Sequence, residues 1–172
     1  MKKALILTGK FVQDHEFIYP YYRLQEEGFQ VTVATEDGKE TVGILGTKIP
    51  VSSSVENINP EDYDLLVLPG GAKAMEYMRQ NKEIIKIISD WNTKGKVISA
   101  ICHASQLLIS ANIVRGRRLS GYYSIKDDIN NAGAEYIDAP FVTDGNLITS
   151  PHYKHLGPWM KETFRVFTEK ND

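Results

Sequence analysis

The chain has 172 residues, 42% of them hydrophobic, enough for one domain whose core needs no disulfide or metal to hold it. Lys and Arg total 20 against 22 Asp and Glu, a formal charge of -2, which excludes the basic footprint of a nucleic-acid binder or of a protein that docks on anionic membranes. The single cysteine, Cys102, excludes an intramolecular disulfide, and no apolar run reaches the roughly 18 residues that span a bilayer.

Met1-Lys2-Lys3 followed by apolar residues opens like a signal peptide, but the run stops at Leu7, before Thr8, Gly9 and Lys10. That is too short for a signal-peptide core, so residues 4–7 read as a buried first strand and the protein as cytoplasmic. A helix is predicted over 16–27, with Phe17, Ile18, Tyr21 and Leu24 on one side and Gly28 as its C-terminal cap. Pro20 argues that its regular part begins near Ile18 or Tyr19. Residues 29–34 read as a second strand, 38–50 carry short β signals and turns, and Asn59-Pro60 marks a loop.

Residues 64–71, Asp-Leu-Leu-Val-Leu-Pro-Gly-Gly, are an apolar run ending in a turn, the pattern of a central parallel strand buried on both faces. Helices are predicted over 74–78 and 83–93, the latter with Ile84, Ile87, Ile88 and Trp91 at helical spacing. A strand over 97–101 and a helix over 102–111 follow. The alternation specifies a doubly wound α/β sheet with ligands at the carboxyl ends of its strands. Arg115, Arg117 and Arg118 around Gly116 read as a solvated surface turn, with an anion contact as the alternative. Beyond them come a short strand over 119–122, a helix over 125–132 and a strand over 136–138. A hairpin follows over 141–149, turning at Asp144-Gly145. The last helix runs from 155 or 156 to 168, with Trp159, Met160, Phe164 and Phe167 facing inward.

The chemistry concentrates where strand 97–101 runs into a helix with Cys102 at the corner. Such a corner pushes its side chain over the sheet edge, and the helix aims N–H groups and the positive end of its dipole at the sulfur, which predicts a stabilised thiolate. Thr8-Gly9, Pro69-Gly70-Gly71 and Cys102-His103 are expected to converge at one edge. Gly70 and Gly71 lack Cβ atoms and let backbone N–H groups approach a substrate, the N–H of His103 is the second donor, and Glu16 points to the same edge. Each feature has a structural reading beside it: a lone cysteine after a strand packs as a small apolar residue, His103 begins a helix, Glu16 favours a first helical turn, and Pro-Gly-Gly is a turn.

The block 100–111, the Leu-Pro-Gly-Gly turn at 68–71, Glu16-Phe-Ile-Tyr-Pro20 and the stretch 125–134 resemble the PfpI intracellular-protease family and its deglycase relatives, within the class I glutamine amidotransferase-like superfamily. The resemblance covers nearly the whole chain. It implies a flavodoxin-like three-layer α/β sandwich with a mostly parallel central sheet. It implies Cys102 as nucleophile on a strained elbow, Glu16 hydrogen-bonded to it, His103 as general base, and Glu76 reaching a neighbouring subunit's histidine. A homodimer or a hexamer of dimers goes with that arrangement. Departures from the family pattern are Ala104-Ser105 in place of Gly-Pro, Phe11-Val-Gln-Asp-His15 in place of Phe-Glu-Asp, a stretch between Gly71 and Asn81 one residue longer, and Ser150-Pro-His152 in place of Ser-Arg. Ser105 then either adds a hydroxyl near the pocket or caps its helix differently, and His152 is an alternative imidazole.

Neither His152 nor His155 is followed two residues on by the glutamate of an ammonia-channelling amidotransferase. His152-x-x-His155 has no third ligand nearby, so no metal is expected. Thr8-Gly9-Lys10-Phe11 offers no phosphate loop for a flavin, so no cofactor is expected either. Two functions remain: a cysteine-dependent enzyme on a small carbonyl or peptide substrate, protease-like or of deglycase or glyoxalase type, in stress protection; or a redox-sensing or chaperone-like stress protein in which Cys102 is oxidised to a sulfinic acid beside a protonated Glu16.

Overall fold

The computed structural model describes residues 1–171. In chain order the elements are β1 Lys3–Leu7, α1 Asp14–Glu26, β2 Gln30–Thr35, β3 Thr41–Val42, β4 Lys48–Ile49, β5 Ser53–Ser54, β6 Leu65–Leu68, α2 Ala72–Met78, α3 Lys82–Thr93 and β7 Val97–Ile101. They continue with α4 Ser105–Ser110, β8 Arg118–Leu119, α5 Lys126–Asn131, β9 Glu135–Tyr136, β10 Val142–Asp144, β11 Leu147–Ser150 and α6 Leu156–Asn171.

Seven strands form one sheet in the order β10-β11-β7-β6-β1-β2-β5, parallel except for the β10–β11 hairpin. The inner strands β6 and β7 are buried along their whole length, as their unbroken apolar sequences require. Helices α1 and α6 pack together, α6 lying against β7 and β11, while α2, α3 and α4 pack together on the opposite face. Trp91 of α3 and Trp159 of α6 are fully buried. This is the α/β flavodoxin-like sandwich, with the C-terminal hairpin in place: Gly145 takes a left-handed φ of 61°, and Asp144 pairs with Leu147.

The chain steps from β1 outward to β2 and returns to β6 on the other side of β1. The switch point between β1 and β6 opens a crevice at their carboxyl ends, where an open α/β sheet receives its ligands.

Three local expectations are corrected. Helix α1 starts at Asp14, before Ile18, because the Gln13 side chain caps it by accepting from the Glu16 N–H (3.0 Å), and Pro20 is carried inside the helix. Cys102–Ala104 form a 3-10 turn, and regular helix begins only at Ser105. Arg117 is no solvated turn residue: it donates to the side chains of Asn92 (2.9 Å) and Asn146 (3.0 Å) and to the Asp144 carbonyl. Arg115 and Arg118 are exposed as expected. Gly28 caps α1 at φ 80°, with the Phe29 N–H donating to the Leu24 carbonyl.

Candidate active site

The elbow after β7 holds Cys102 at φ 62°, a left-handed conformation that costs energy for a residue with a Cβ. It is held from both sides. The Tyr122 N–H donates to the Cys102 carbonyl (3.1 Å), and β7 anchors the preceding residues between β6 and β11.

The Gly70-Gly71 turn closes over this elbow, and its two glycines serve different ends. A Cβ on Gly70 would lie 2.5 Å from Glu16 Oε2, 2.7 Å from the Ile101 carbonyl and 2.9 Å from Cys102 Cβ, so only glycine lets the two loops and the first helix meet. Gly71 has a φ of 106° and presses on the backbone of Phe11 and Gln13. Gln13 ties the helix to the turn, its N–H donating to the Gly70 carbonyl (3.2 Å). Asp14 fastens the β3–β4 loop to the same place: its carboxylate accepts from the N–H groups of Leu45 (2.8 Å) and Thr47 (2.9 Å). Burial alone would raise the Asp14 pKa, but the hydrogen bonds from Thr47 and Leu45 outweigh it and hold the carboxyl below its ordinary value.

Glu16 is fully buried. Its Oε2 accepts from the Gly70 N–H (2.9 Å), while Oε1 has no nitrogen or oxygen partner, leaving the Cys102 thiol as the polar neighbour that enters its acidity. Burial pushes the carboxyl from 4.5 up to about 7, against the opposing pull of the Cys102 and Gly70 hydrogen bonds. Cys102, only 6% exposed, does not bear out the expectation of a freely stabilised thiolate. Burial, and then the charge of Glu16, push its thiol up, and the N–H groups of His103 and Gly71 offset this only in part. Carboxyl and thiol thus share one proton: an ionised Glu16 keeps the thiol protonated, and a protonated Glu16 can donate to a thiolate.

His103 lies beside the sulfur, with Nδ1 3.4 Å from Sγ and Nε2 3.3 Å from the Ser124 hydroxyl. Burial lowers its pKa, so it is neutral at pH 7 and able to accept a proton. Cys102, His103, Glu16 and Gly71 therefore meet, as the sequence reading expected. Gly70 is there too, but its N–H is committed to Glu16 instead of facing a substrate oxygen. Glu76 stands apart within the chain, on α2 and bound to Lys73 (2.7 Å). Ser105 is no pocket hydroxyl: it is buried and donates to the Ser120 carbonyl (2.8 Å).

A cavity of about 250 Å³ opens at Cys102, floored by Gly71 and Ala72 and edged by Gln13 and Ile44. Its far wall is a run of rings. His103 stacks on Tyr122 at 4.7 Å between centroids, Tyr122 on His152 at 5.9 Å, and His152 meets Tyr153 at 4.1 Å. His152 is thus an imidazole of the cavity, while Tyr122, Ser124 and Tyr153 were not singled out from the sequence. The signal for Tyr122 was its place at the carboxyl end of the strand read over 119–122, since strand ends carry the ligands of an α/β fold. Among the described residues no cluster of three His, Cys, Asp or Glu side chains could hold a metal. No helix among them is long and apolar enough to cross a membrane.

Known proteins share this architecture. The chain is 42% identical over 164 residues to deglycase PH1704 of Pyrococcus horikoshii, covering 95% of this chain and 98% of that protein. It is 34% identical over 168 residues to protein/nucleic acid deglycase 2 of Escherichia coli, covering 96% of each. A crystal structure from Anabaena variabilis, of a two-domain protein containing DJ-1/ThiJ/PfpI-like and ferritin-like domains, superposes with a TM-score of 0.92 at 32% identity. The match covers 99% of this chain and 48% of that one. With residues 2–165 matching the DJ-1/PfpI family profile as well, this chain belongs to the DJ-1/PfpI family.

Proposed function

We propose that the chain is a cysteine-dependent enzyme acting on small electrophilic carbonyls, namely α-oxoaldehydes such as methylglyoxal and the early adducts they form on amines. The observation that carries this reading is the convergence of a strained Cys102, a buried Glu16 whose pKa lies near 7, and the N–H groups of Gly71 and His103 on one sulfur. The names of the relatives from Pyrococcus horikoshii and Escherichia coli, both deglycases, point to the same chemistry. A thiol 6% exposed in a cavity of about 250 Å³ suits a small carbonyl better than a folded polypeptide, which favours this reading over a protease.

In the first step the Cys102 sulfur bonds to the aldehyde carbon, the C=O π bond opens, and the thiol proton passes to the Glu16 carboxylate. The N–H groups of Gly71 and His103 take up the developing oxyanion, which is then protonated to a hemithioacetal. His103 removes the hydrogen of the former aldehyde carbon as a proton, and a proton is delivered to the neighbouring ketone carbon. The first carbon is oxidised to a thioester and the second reduced to an alcohol, with no external electron acceptor. Water then cleaves the C–S bond, giving a 2-hydroxy acid and restoring the thiol. Methylglyoxal consumption by the wild type and by Cys102→Ser tests this: a loss of on the order of 10³-fold or more is expected, and equal rates sink the reading.

Assembly enters through Glu76. Its exposed position on α2, and a His103 Nε2 met only by Ser124 at 3.3 Å, support a homodimer or hexamer of dimers in which Glu76 of a second copy orients His103. Light scattering with the pH profile of Glu76→Gln tests it; a monomer, or an unchanged profile, removes Glu76 from the site.

The unpartnered Glu16 oxygen also suits a redox sensor, since a carboxylic acid donates well to a sulfinate. Mild peroxide followed by intact mass tests that reading, and a Cys102 that gains no oxygen ends it.

A further inference from the structure

The wall of the catalytic cavity carries information about the substrate that the sulfur does not. Among the described residues, no Lys, Arg, Asp or Glu lines the cavity. Lys154 lies close by but sits over the Tyr123 ring at 5.4 Å, outside the lining. The polar atoms of the wall are those of neutral groups. The Lys154 backbone N–H donates to His152 Nδ1 at 3.1 Å, which occupies the acceptor nitrogen and leaves the proton on Nε2. Burial, with the nearby charges of Lys154 and His155, lowers the His152 pKa, and burial lowers that of His103.

The rings are also arranged to receive a flat group. His103 stacks on Tyr122 at an interplanar angle of 26°, and Tyr122 and His152 lie at the same angle, so three near-parallel rings line the cavity beside Cys102. Tyr122 is fixed in this position by its N–H bond to the Cys102 carbonyl (3.1 Å), so the surface is registered to the nucleophile. A carboxylate entering here would be stripped of water with no cation to receive it, whereas a planar uncharged substituent would stack.

Resting on the proposed oxoaldehyde chemistry, we propose that Tyr122 and His152 form a recognition wall that selects uncharged α-oxoaldehydes with a planar substituent, the arylglyoxal class, over those bearing a carboxylate. The covalent sequence is the one given above, and the product from an arylglyoxal is the corresponding aryl 2-hydroxy acid. Tyr122 supplies aromatic wall against which the aryl ring packs. His152 extends that wall and keeps the outer end of the cavity uncharged.

The test is kcat/KM for phenylglyoxal, methylglyoxal and 4,5-dioxopentanoate, an α-oxoaldehyde with a carboxylate on its side chain, with the wild type, Tyr122→Leu, Tyr122→Phe and His152→Arg. In the wild type phenylglyoxal is expected to exceed 4,5-dioxopentanoate by about tenfold or more, since a desolvated, unpaired carboxylate costs more than a lost stacking contact. Tyr122→Leu should lower the phenylglyoxal-to-methylglyoxal ratio about three- to tenfold. Tyr122→Phe, which keeps the ring, should hold that ratio, so a folding defect in the leucine variant cannot imitate the result. His152→Arg should raise the ratio of 4,5-dioxopentanoate to methylglyoxal about tenfold, because the guanidinium supplies the missing carboxylate partner. If methylglyoxal turnover depends on Cys102 but 4,5-dioxopentanoate equals phenylglyoxal, or either ratio stays fixed in its own variant, the recognition wall is overturned and the oxoaldehyde chemistry stands. If none of the three compounds is turned over in a Cys102-dependent way, both fall together.

Discussion

Strand β7 has a polar cluster at each end, and the two are built on opposite principles. At its amino end Asn146 donates to the Lys96 carbonyl (2.9 Å) and to Asn92 (3.3 Å) and accepts from Arg117, while Arg117 also holds Asn92 and the Asp144 carbonyl. The Asn146 amide and the Arg117 guanidinium are both partnered there, and the backbone of the hairpin turn is carried by a glycine. At the carboxyl end Glu16 Oε1 is buried with no nitrogen or oxygen partner among the described residues, and Cys102, which is not a glycine, takes a positive φ. The first cluster spends its hydrogen bonds on holding loops to the sheet. The second keeps strain and an unpaired oxygen at a sulfur, the arrangement expected of a reactive site and not of a structural one.

The sharpest way to break this contrast is Arg117→Ala. Removing the guanidinium leaves Asn146 Oδ1 and the Asp144 carbonyl without their donor and Asn92 with the Asn146 amide alone, and a loss of about 3 kcal/mol in chemical denaturation is expected, with methylglyoxal turnover at the far end of β7 retained at low temperature. A destabilisation below about 1 kcal/mol would mean that water replaces these hydrogen bonds at little cost.

Glu16→Gln probes the other end and should act in the opposite direction. Glu16 has a folded pKa of about 7 against an ordinary 4.5, so the folded state holds more protons across that interval. Stability therefore falls as pH rises from about 4.5 through about 7, by roughly 3 kcal/mol from this group. The glutamine variant should lose that slope and be the more stable protein at pH 8, while losing activity. Parallel stability curves for the two proteins from pH 4 to 8 would show that Glu16 does not carry the strain.

Ser105→Ala is the smallest effect. Its hydroxyl joins α4 to the Ser120 carbonyl behind the elbow, so about 1 kcal/mol of stability should be lost with little change in kcat. A large fall in kcat without loss of stability would return Ser105 to the pocket.

Much of the frame was legible in local sequence. The strands of 4–7, 64–68 and 97–101 are unbroken apolar runs, and the hairpin and α6 announce themselves by Asp144-Gly145 and by the spacing of Trp159, Met160 and Phe167. Cys102, Glu16 and Gly71 were legible as candidates because each stands at a strand end or in the helix that follows one. Propensity misled at Pro20: one lost hydrogen bond inside α1 is outweighed by the Gln13 cap and by the burial of Phe17 and Leu24. Arg117 was misread because a cationic cluster beside glycine looks like a solvated turn until Asn92 and Asn146, 25 and 29 residues away, are brought to it.

The sequence by itself determined the order of strands and helices and the corner on which Cys102 sits, since periodicity and turn chemistry act over a few residues. The acidity of the thiol was decided only by the tertiary structure: the corner alone argues for a thiolate, and burial against Glu16, 54 residues from the Gly70 that it grips, reverses that. The same holds for the ring wall of Tyr122 and His152, which exists because two loops distant in the chain end at one edge of the sheet. Desolvation and stacking depend on what surrounds a group, and in this chain the surroundings are assembled by long-range strand pairing.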